Sequence, residues 1–460
     1  MKFLALILSL SLLVFIHELG HYLFARLFKT RVRKFYLFFN PYFSILRAKK
    51  IDGRWRFSFF SKQSPQSFTD HDESTEWGIG WVPFGGYCEI AGMIDENNTS
   101  AEALSSEPQQ WEYRSKPAWQ RLLIVLGGVL MNFVGALVIF AAILFVWGKE
   151  TLPLANAKLG YEYSQTFINN GFRNGDIIIA INGNDVTEIS DAQNSLLLDD
   201  AKQCKVKRGD SVVEILLPDN FAKQVVASEE KSLITPLFPF VVGEFAAGSA
   251  AQTAGMRQGD SIVALDGTPT ASFSEFVRTI KDKANKEVAV SFYRNNELKT
   301  LPIKLGSDAK IGVYPKDPLT MFETHKTEYS LLESIPAGVE KGTSMLVNYV
   351  KQFKLIFSKE GARQVGGFGA IGGLFPSSWD WQVFWYITAF LSIILAFMNI
   401  LPIPALDGGH VFFVLWEMIS GRKPGDKFLA RAQTVGMILL FALLIYANGN
   451  DLIRWLSSKF

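Results

Sequence analysis

A nearly unbroken apolar run from Phe3 to Phe28 carries, two-thirds of the way along, the pentad His17-Glu18-Leu19-Gly20-His21. A run of this length as a helix, at about 1.5 Å per residue, crosses a hydrocarbon layer of about 30 Å. Ionisable side chains inside such a span cost about 2.5 to 3.5 kcal/mol each, so three in one turn require a partner, a metal or a water-filled cavity. Two histidines four apart share one helix face, the arrangement that lets two imidazoles hold one Zn²⁺, and Glu18 travels beside them as a general base. His17 falls about 20 Å along the helix from Phe3, so the metal would be immersed. A cleaved signal peptide is the competing reading. No small-x-small cleavage site follows Ile16, and the apolar stretch continues from Tyr22 to Phe28.

Charge placement sets the topology. Arg26, Lys29, Arg31, Arg33, Lys34, Arg47, Lys49, Lys50, Arg54 and Arg56 follow the first span, and Arg422, Lys423, Lys427 and Arg431 form a second basic group. The positive-inside rule makes both segments cytoplasmic and turns the N-terminus outward. Three further apolar stretches can cross: Leu122 to Trp147, Val383 to Leu401, and a weaker one from Val435 to Ala447 that extends toward Trp455. Four crossings return the C-terminus outside and export residues 149 to 380. An apolar fraction of 48% beside 20% charged residues in 460 residues suits a membrane protein with sizeable polar domains, whereas the net charge of +2 excludes little. Cys88 and Cys204, the two cysteines, fall on opposite sides of the membrane and form no intrachain disulfide.

The exported region repeats itself. Gly171-Phe172-Arg173-Asn174-Gly175-Asp176, a short apolar strand and Asn182-Gly183 recur as Gly255-Met256-Arg257-Gln258-Gly259-Asp260, a strand and Asp266-Gly267. Such copies imply two similar domains in tandem. The pattern resembles PDZ domains, more closely in the second copy, and that resemblance implies either peptide capture by strand addition or bulk that filters substrates by size. On the other side of the membrane, residues 78 to 92 are apolar, aromatic and Gly-rich but too short to span, and Lys34 to Phe60 alternates aromatic with basic residues. Both suit strands that dip toward the bilayer. Between Glu328 and Phe357 the spacing predicts a helix on or near the outer surface. Gly366 to Gly373 reads as a hinge, a re-entrant turn or a simple linker.

Two histidines leave a hydrolytic zinc one protein ligand short. Asn399-Ile400-Leu401-Pro402-Ile403-Pro404-Ala405-Leu406-Asp407-Gly408-Gly409-His410 closes the third span, and its prolines break the helix so that Asp407 turns back as the third ligand. His410 reads as a hydrogen-bonding neighbour and His71 as part of a solvated acidic loop. The pairing of His-Glu-Leu-Gly-His with Asn-x-x-Pro-x-Pro-x-Leu-Asp-Gly-Gly resembles the site-2 protease family of intramembrane zinc metalloproteases. With two PDZ-like repeats between the motifs, it resembles the bacterial branch that cleaves membrane-bound anti-sigma factors and remnant signal peptides. That resemblance implies His17, His21 and Asp407 as zinc ligands, Glu18 as catalytic base and Asn399 as a substrate-positioning residue. It extends to Val82-Pro83-Phe84-Gly85-Gly86-Tyr87 and to Arg121 through Phe133. Two departures stand out: Gly127-Gly128 precedes Asn132-Phe133 where the family has Gly-Pro, and Gly367-Phe368 replaces a second Gly-Pro.

The expected fold is a multi-domain membrane protein with four transmembrane α-helices, a membrane-associated β element and two tandem PDZ-like α+β domains. Its divisions are 1–29, 30–116 (the β region), 117–148, 149–222 and 223–318 (the repeats), 319–378, 379–416 and 417–460. The expected partners are single-span membrane protein substrates, the lipid bilayer and peptide ligands of the repeats, with no nucleic acid. The expected location is a bacterial inner membrane, with the repeats and both termini periplasmic. A non-catalytic PDZ scaffold leaves the immersed His and Glu cluster unexplained, and a transporter would need more crossings and inverted repeats.

Overall fold

The computed structural model describes residues 1–62, 74–93, 107–228, 230, 232–357 and 359–457. Contacts divide the chain into two units, Met1–Gly148 with Glu328–Phe460, and Lys149–Thr327. In the first unit, four described helices are long and apolar enough to cross a membrane: Lys2–Leu27, Ala118–Trp147, Trp381–Ile400 and Lys427–Ser457. The division 379–416 holds two helices, separated where the prolines are expected to break the chain. The helix stops at Ile400, Pro402 and Pro404 withhold amide donors, Ala405 adopts a φ of 79°, and a separate helix Asp407–Ser420 follows. The helix that carries the fourth apolar stretch runs from Asp426 to Ser457, longer than Val435 to Ala447, and Gly421 closes the preceding helix in a left-handed conformation.

Small residues bring the first two spans together. A Cβ on Gly20 would strike the Gly127 carbonyl, and one on Gly127 would lie 2.6 Å from the Gly20 oxygen, so both positions must lack side chains for this crossing. The third span joins them through buried hydroxyls: Thr388 donates to Ser9 at 2.9 Å, and Ser392 donates to the Asn132 carbonyl at 2.7 Å. Around these bonds pack Leu13, Ile387 and Leu391 on one side and Ala136, Phe140 and Ile393 on the other.

The helix expected on the outer surface packs instead along the second span. Helix Leu331–Phe353 starts in a capping box of Ser330 and Glu333. Its Gly338 lies against the Ala141 backbone, a Cβ there reaching 2.5 Å from the amide nitrogen, and its Gly342 lies against Leu137. Farther on, Tyr349 and Phe353 meet Phe397 of the third span edge to face at 5.5 and 5.1 Å. The following Gly-rich stretch contains a short helix, Phe368–Leu374, held by the fourth span. Asp451 accepts from the Gly367 and Ala370 amides at 3.0 and 2.9 Å, and Asn448 accepts from that of Phe368 at 3.2 Å.

Residues after the first span build a five-stranded sheet from β1 (Val32–Phe39), β2 (Ser44–Ile51), β3 (Arg54–Ser61), β4 (Glu76–Ile79) and β5 (Val82–Ile90), in the order β3-β2-β4-β1-β5. β1 and β4 run parallel and the other pairs antiparallel. The edge strand β3 alternates Arg54 and Arg56 with exposed Trp55, Phe57 and Phe59, a composition suited to a membrane–water boundary. At the opposite edge β5 rests on the first span. A Cβ on Gly86 would come within 2.9 Å of Val14, so glycine permits that approach.

The second unit holds the repeat as two α+β halves, each with its own core. In the first half, strands Ser211–Leu216, Gln203–Arg208, Ile177–Ile181 and Asn184–Asp185 form a sheet over Phe167, Phe172 and Phe221. Full burial of each such ring contributes about 1.5 to 3 kcal/mol. This core extends through Val225 to Ile234, whose strand Ile234–Pro236 pairs with Tyr161–Tyr163. The half therefore ends near residue 236, and the expected division at 222/223 cuts through helix Phe221–Ser228. In the second half, the sheet order is Glu297–Lys304, Glu287–Arg294, Ser261–Leu265, Phe240–Phe245 and Val313–Pro315.

The repeated Gly-Asp turn has the same chemistry in both halves. Asp176 accepts from the Arg173 amide at 2.8 Å and is gripped in bidentate fashion by Arg208 at 2.8 and 2.7 Å. Asp260 accepts from the Arg257 amide at 2.7 Å and from Arg294 at 2.8 and 2.6 Å. Burial disfavours the Asp260 carboxylate, but the Arg294 guanidinium and the amide outweigh that and hold it below the usual carboxylate range.

Candidate metal centre

The first span turns one face toward the second, and on it the rings of His17 and His21 stand edge to face with centroids 4.8 Å apart. Their Nε2 atoms are 3.2 Å apart. Gly128 makes this possible: a Cβ there would lie 2.5 Å from His21 Nε2 and 2.6 Å from His17 Cε1. The glycine pair that departs from Gly-Pro thus provides a close helix crossing at Gly127 and room for two imidazoles at Gly128.

Asp407 arrives as the first residue of helix Asp407–Ser420. Gly408 and Gly409 let that helix start directly against the preceding turn, where a Cβ on Gly409 would lie 2.7 Å from the Ile403 oxygen. An ion pair between Glu417 and Arg121 of the second span, at 2.5 Å, fixes the same helix from its other end. The Asp407 Oδ2 atom then sits 3.1 Å from His17 Nε2 and 3.5 Å from His21 Nε2.

These three atoms fit a cation. Asp407 Oδ2 is buried and has no hydrogen-bond partner. Ligands about 2.0 to 2.1 Å from a tetrahedral Zn²⁺ stand about 3.3 Å from one another, which is the separation observed here. Among the described residues, this is the cluster of three His, Cys, Asp or Glu side chains whose donor atoms converge for a metal.

A cavity of about 260 Å³ opens on the cluster and is lined also by Glu18, Asn399, His410 and Gly85 through Cys88 of β5. Glu18 accepts a hydrogen bond from the Cys88 backbone N–H, so the edge strand holds the carboxylate. The Asn399 amide approaches His17 Nε2 at 3.4 Å. His410 lines the cavity but lies outside the converging set, and His71 falls outside the described residues. Cys88 and Cys204 are both free.

The peptidase family M50 model matches residues 5–62 and 62–443. The chain belongs to peptidase family M50. Among its relatives, one from Ralstonia nicotianae that carries a zinc-metalloprotease name is 25% identical across 98% of both chains. The regulator of sigma-E protease RseP of Salmonella typhimurium is 26% identical, again across 98% of both chains. As an M50 member with this resemblance to RseP, the chain is an intramembrane zinc metalloprotease.

Three features of the site were not assigned from the residues alone: Asn132, Gln433 and the Cys88 amide. Asn132 is a fully buried polar side chain inside an apolar span, a signal in itself, and Gln433 is a buried amide on the fourth span at the cavity wall. The Cys88 amide belongs to a backbone whose placement depends on strand pairing.

Proposed function

We propose that Zn²⁺ is held by His17, His21 and Asp407, that Glu18 is the general base and acid, and that Asn399 positions the substrate. The convergence of three lone-pair atoms at 3.1 to 3.5 Å between membrane-spanning helices carries this reading. Bound zinc supplies Lewis acidity that brings the ionisation of water toward pH 7 and polarises a peptide carbonyl. Glu18 accepts the proton of the attacking water and returns it to the leaving amine. Its bond to Cys88 keeps the carboxylate beside the ligands.

A transmembrane substrate hides its carbonyls in helical hydrogen bonds, so the scissile segment must unwind. Among the described residues, the sheet ends at β5 on the cavity side, and an unwound segment laid along that edge recovers backbone hydrogen bonds. Asn399 then offers its carboxamide to the same segment.

In this reading the substrates are single-span membrane proteins such as anti-sigma factors or remnant signal peptides, in a bacterial inner membrane with the repeats and both termini periplasmic. The tandem halves of the second unit act as PDZ-like modules. The second carries a groove of about 560 Å³ between helix Phe273–Ile280 and strand Val313–Pro315, lined by Phe240, Phe273, Phe276 and Tyr314, which suits an extended peptide. The test is zinc content together with cleavage of a single-span substrate. Glu18→Gln should retain zinc and lose cleavage by about 10²- to 10⁴-fold. Unchanged cleavage would remove Glu18 from the mechanism.

A further inference from the structure

We infer that Asn132 is a positioning residue for the metal: it accepts a hydrogen bond from His17 Nδ1–H and so fixes the tautomer that leaves Nε2 free to ligate. The inference rests on the metal reading above and adds a residue to which that reading gives no role.

Both imidazoles point Nε2 into the cluster, so each must carry its proton on Nδ1, and each Nδ1–H needs an acceptor. For His21 the acceptor is part of the backbone. Its Nδ1 lies 2.9 Å from the Ile124 carbonyl oxygen, which can only accept. For His17 the group in reach is the Asn132 carboxamide, 3.2 Å from Nδ1. Both acceptors belong to the second span, which serves as the outer support of the whole histidine pair.

The chemistry of the carboxamide then decides its orientation. With Nδ2 toward His17, two donors oppose each other as soon as Nε2 binds a cation, while Asn132 Oδ1 lies buried without a partner. A half-turn about the Cβ–Cγ bond keeps the side-chain outline and places Oδ1 on Nδ1–H. Neighbouring groups keep Asn132 in reach. It is fully buried, and Ser392 of the third span donates to its backbone carbonyl at 2.7 Å. An acceptor behind a metal-bound imidazole orients the ring and raises its basicity, and losing one typically weakens metal binding by about 10- to 100-fold.

The experiment compares the purified full-length protein with Asn132→Leu and Asn132→Asp, using chelator competition for zinc affinity and the visible spectrum after Co²⁺ substitution. Leucine keeps the volume and removes the acceptor; aspartate restores one. The expected result is a roughly 10- to 100-fold weaker zinc Kd and an altered Co²⁺ spectrum in Asn132→Leu, with Asn132→Asp within about threefold of the parent. Equal zinc affinity in all three proteins overturns the inference, as does an equal loss in both variants, which would make Asn132 a packing residue only. Nitrogen-15 NMR of labelled histidine in the unsubstituted, zinc-loaded protein tests the same point without a variant. His17 should show a protonated Nδ1 and a metal-bound Nε2, and the reverse assignment refutes the proposal. A parent protein that binds no zinc would instead bring down the metal reading itself.

Discussion

Replacing Gly128 with alanine adds one carbon where the two imidazoles meet. Its Cβ would stand 2.5 Å from His21 Nε2, 2.6 Å from His17 Cε1 and 2.8 Å from His17 Nδ1. Ordinary contact begins near 3.4 Å, so the rings or the second span must retreat by about 0.9 Å. Metal sites tolerate about 0.2 Å in ligand distance, and the neighbouring crossing at Gly20 and Gly127 leaves the backbones no slack. The expected outcome is zinc affinity weakened at least 100-fold, equivalent to about 2.7 kcal/mol, with cleavage lost in parallel. Gly135→Ala is the matched control, because in the same span its Cβ would make an ordinary 3.5 Å contact with Ile16. Both variants are assayed by chelator competition and substrate cleavage, with hydrogen exchange of the second span as a check on folding. If Gly128→Ala binds zinc within twofold of the parent, the close-packed geometry assigned to the histidine pair is wrong.

Asp407→Ala should reduce zinc occupancy sharply while leaving the helix Asp407–Ser420 anchored by Glu417 and Arg121; atomic absorption and hydrogen exchange read the two effects separately. In the second unit, Asp260→Asn breaks a buried pair and should cost the second half about 3 kcal/mol, seen as faster exchange in strands Ser261–Leu265 and Glu287–Arg294 of the full chain. The folded Asp260 carboxyl is held below its unfolded value, so its stabilisation is complete above about pH 4 and is lost as pH falls through the folded pKa. Protection factors in these strands that do not fall as the solution is acidified below pH 4 would contradict that assignment.

Much of the site can be read from the chain because its signals are local or chemically costly. His17, Glu18 and His21 occupy one helical turn, and Pro402 and Pro404 interrupt the third helix just before Asp407. The repeat announces itself through Gly-Asp turns, although the reason for the aspartate appears only when Arg208 and Arg294 fold back onto it. In helix Leu331–Phe353 the charges Glu333, Glu340, Lys341 and Lys351 suggest a wetted surface, whereas Gly338 and Gly342 at four-residue spacing form the flat face that lies on the second span. The division between the repeats is not legible in the chain because strand Ile234–Pro236 is short and its partner Tyr161–Tyr163 lies far back in sequence. Such pairings depend on tertiary packing, and periodicity does not encode them.

His17 and His21 leave the ribosome some 390 residues before Asp407. At roughly 5 to 20 residues per second, some 20 to 80 s of elongation separate them. Throughout that interval the nascent polypeptide would hold two of the three proposed ligands and lack the third. With the proposed ligands, the site closes only once the segment after the third span has been made, so a product truncated before Asp407 would be inert toward its neighbours.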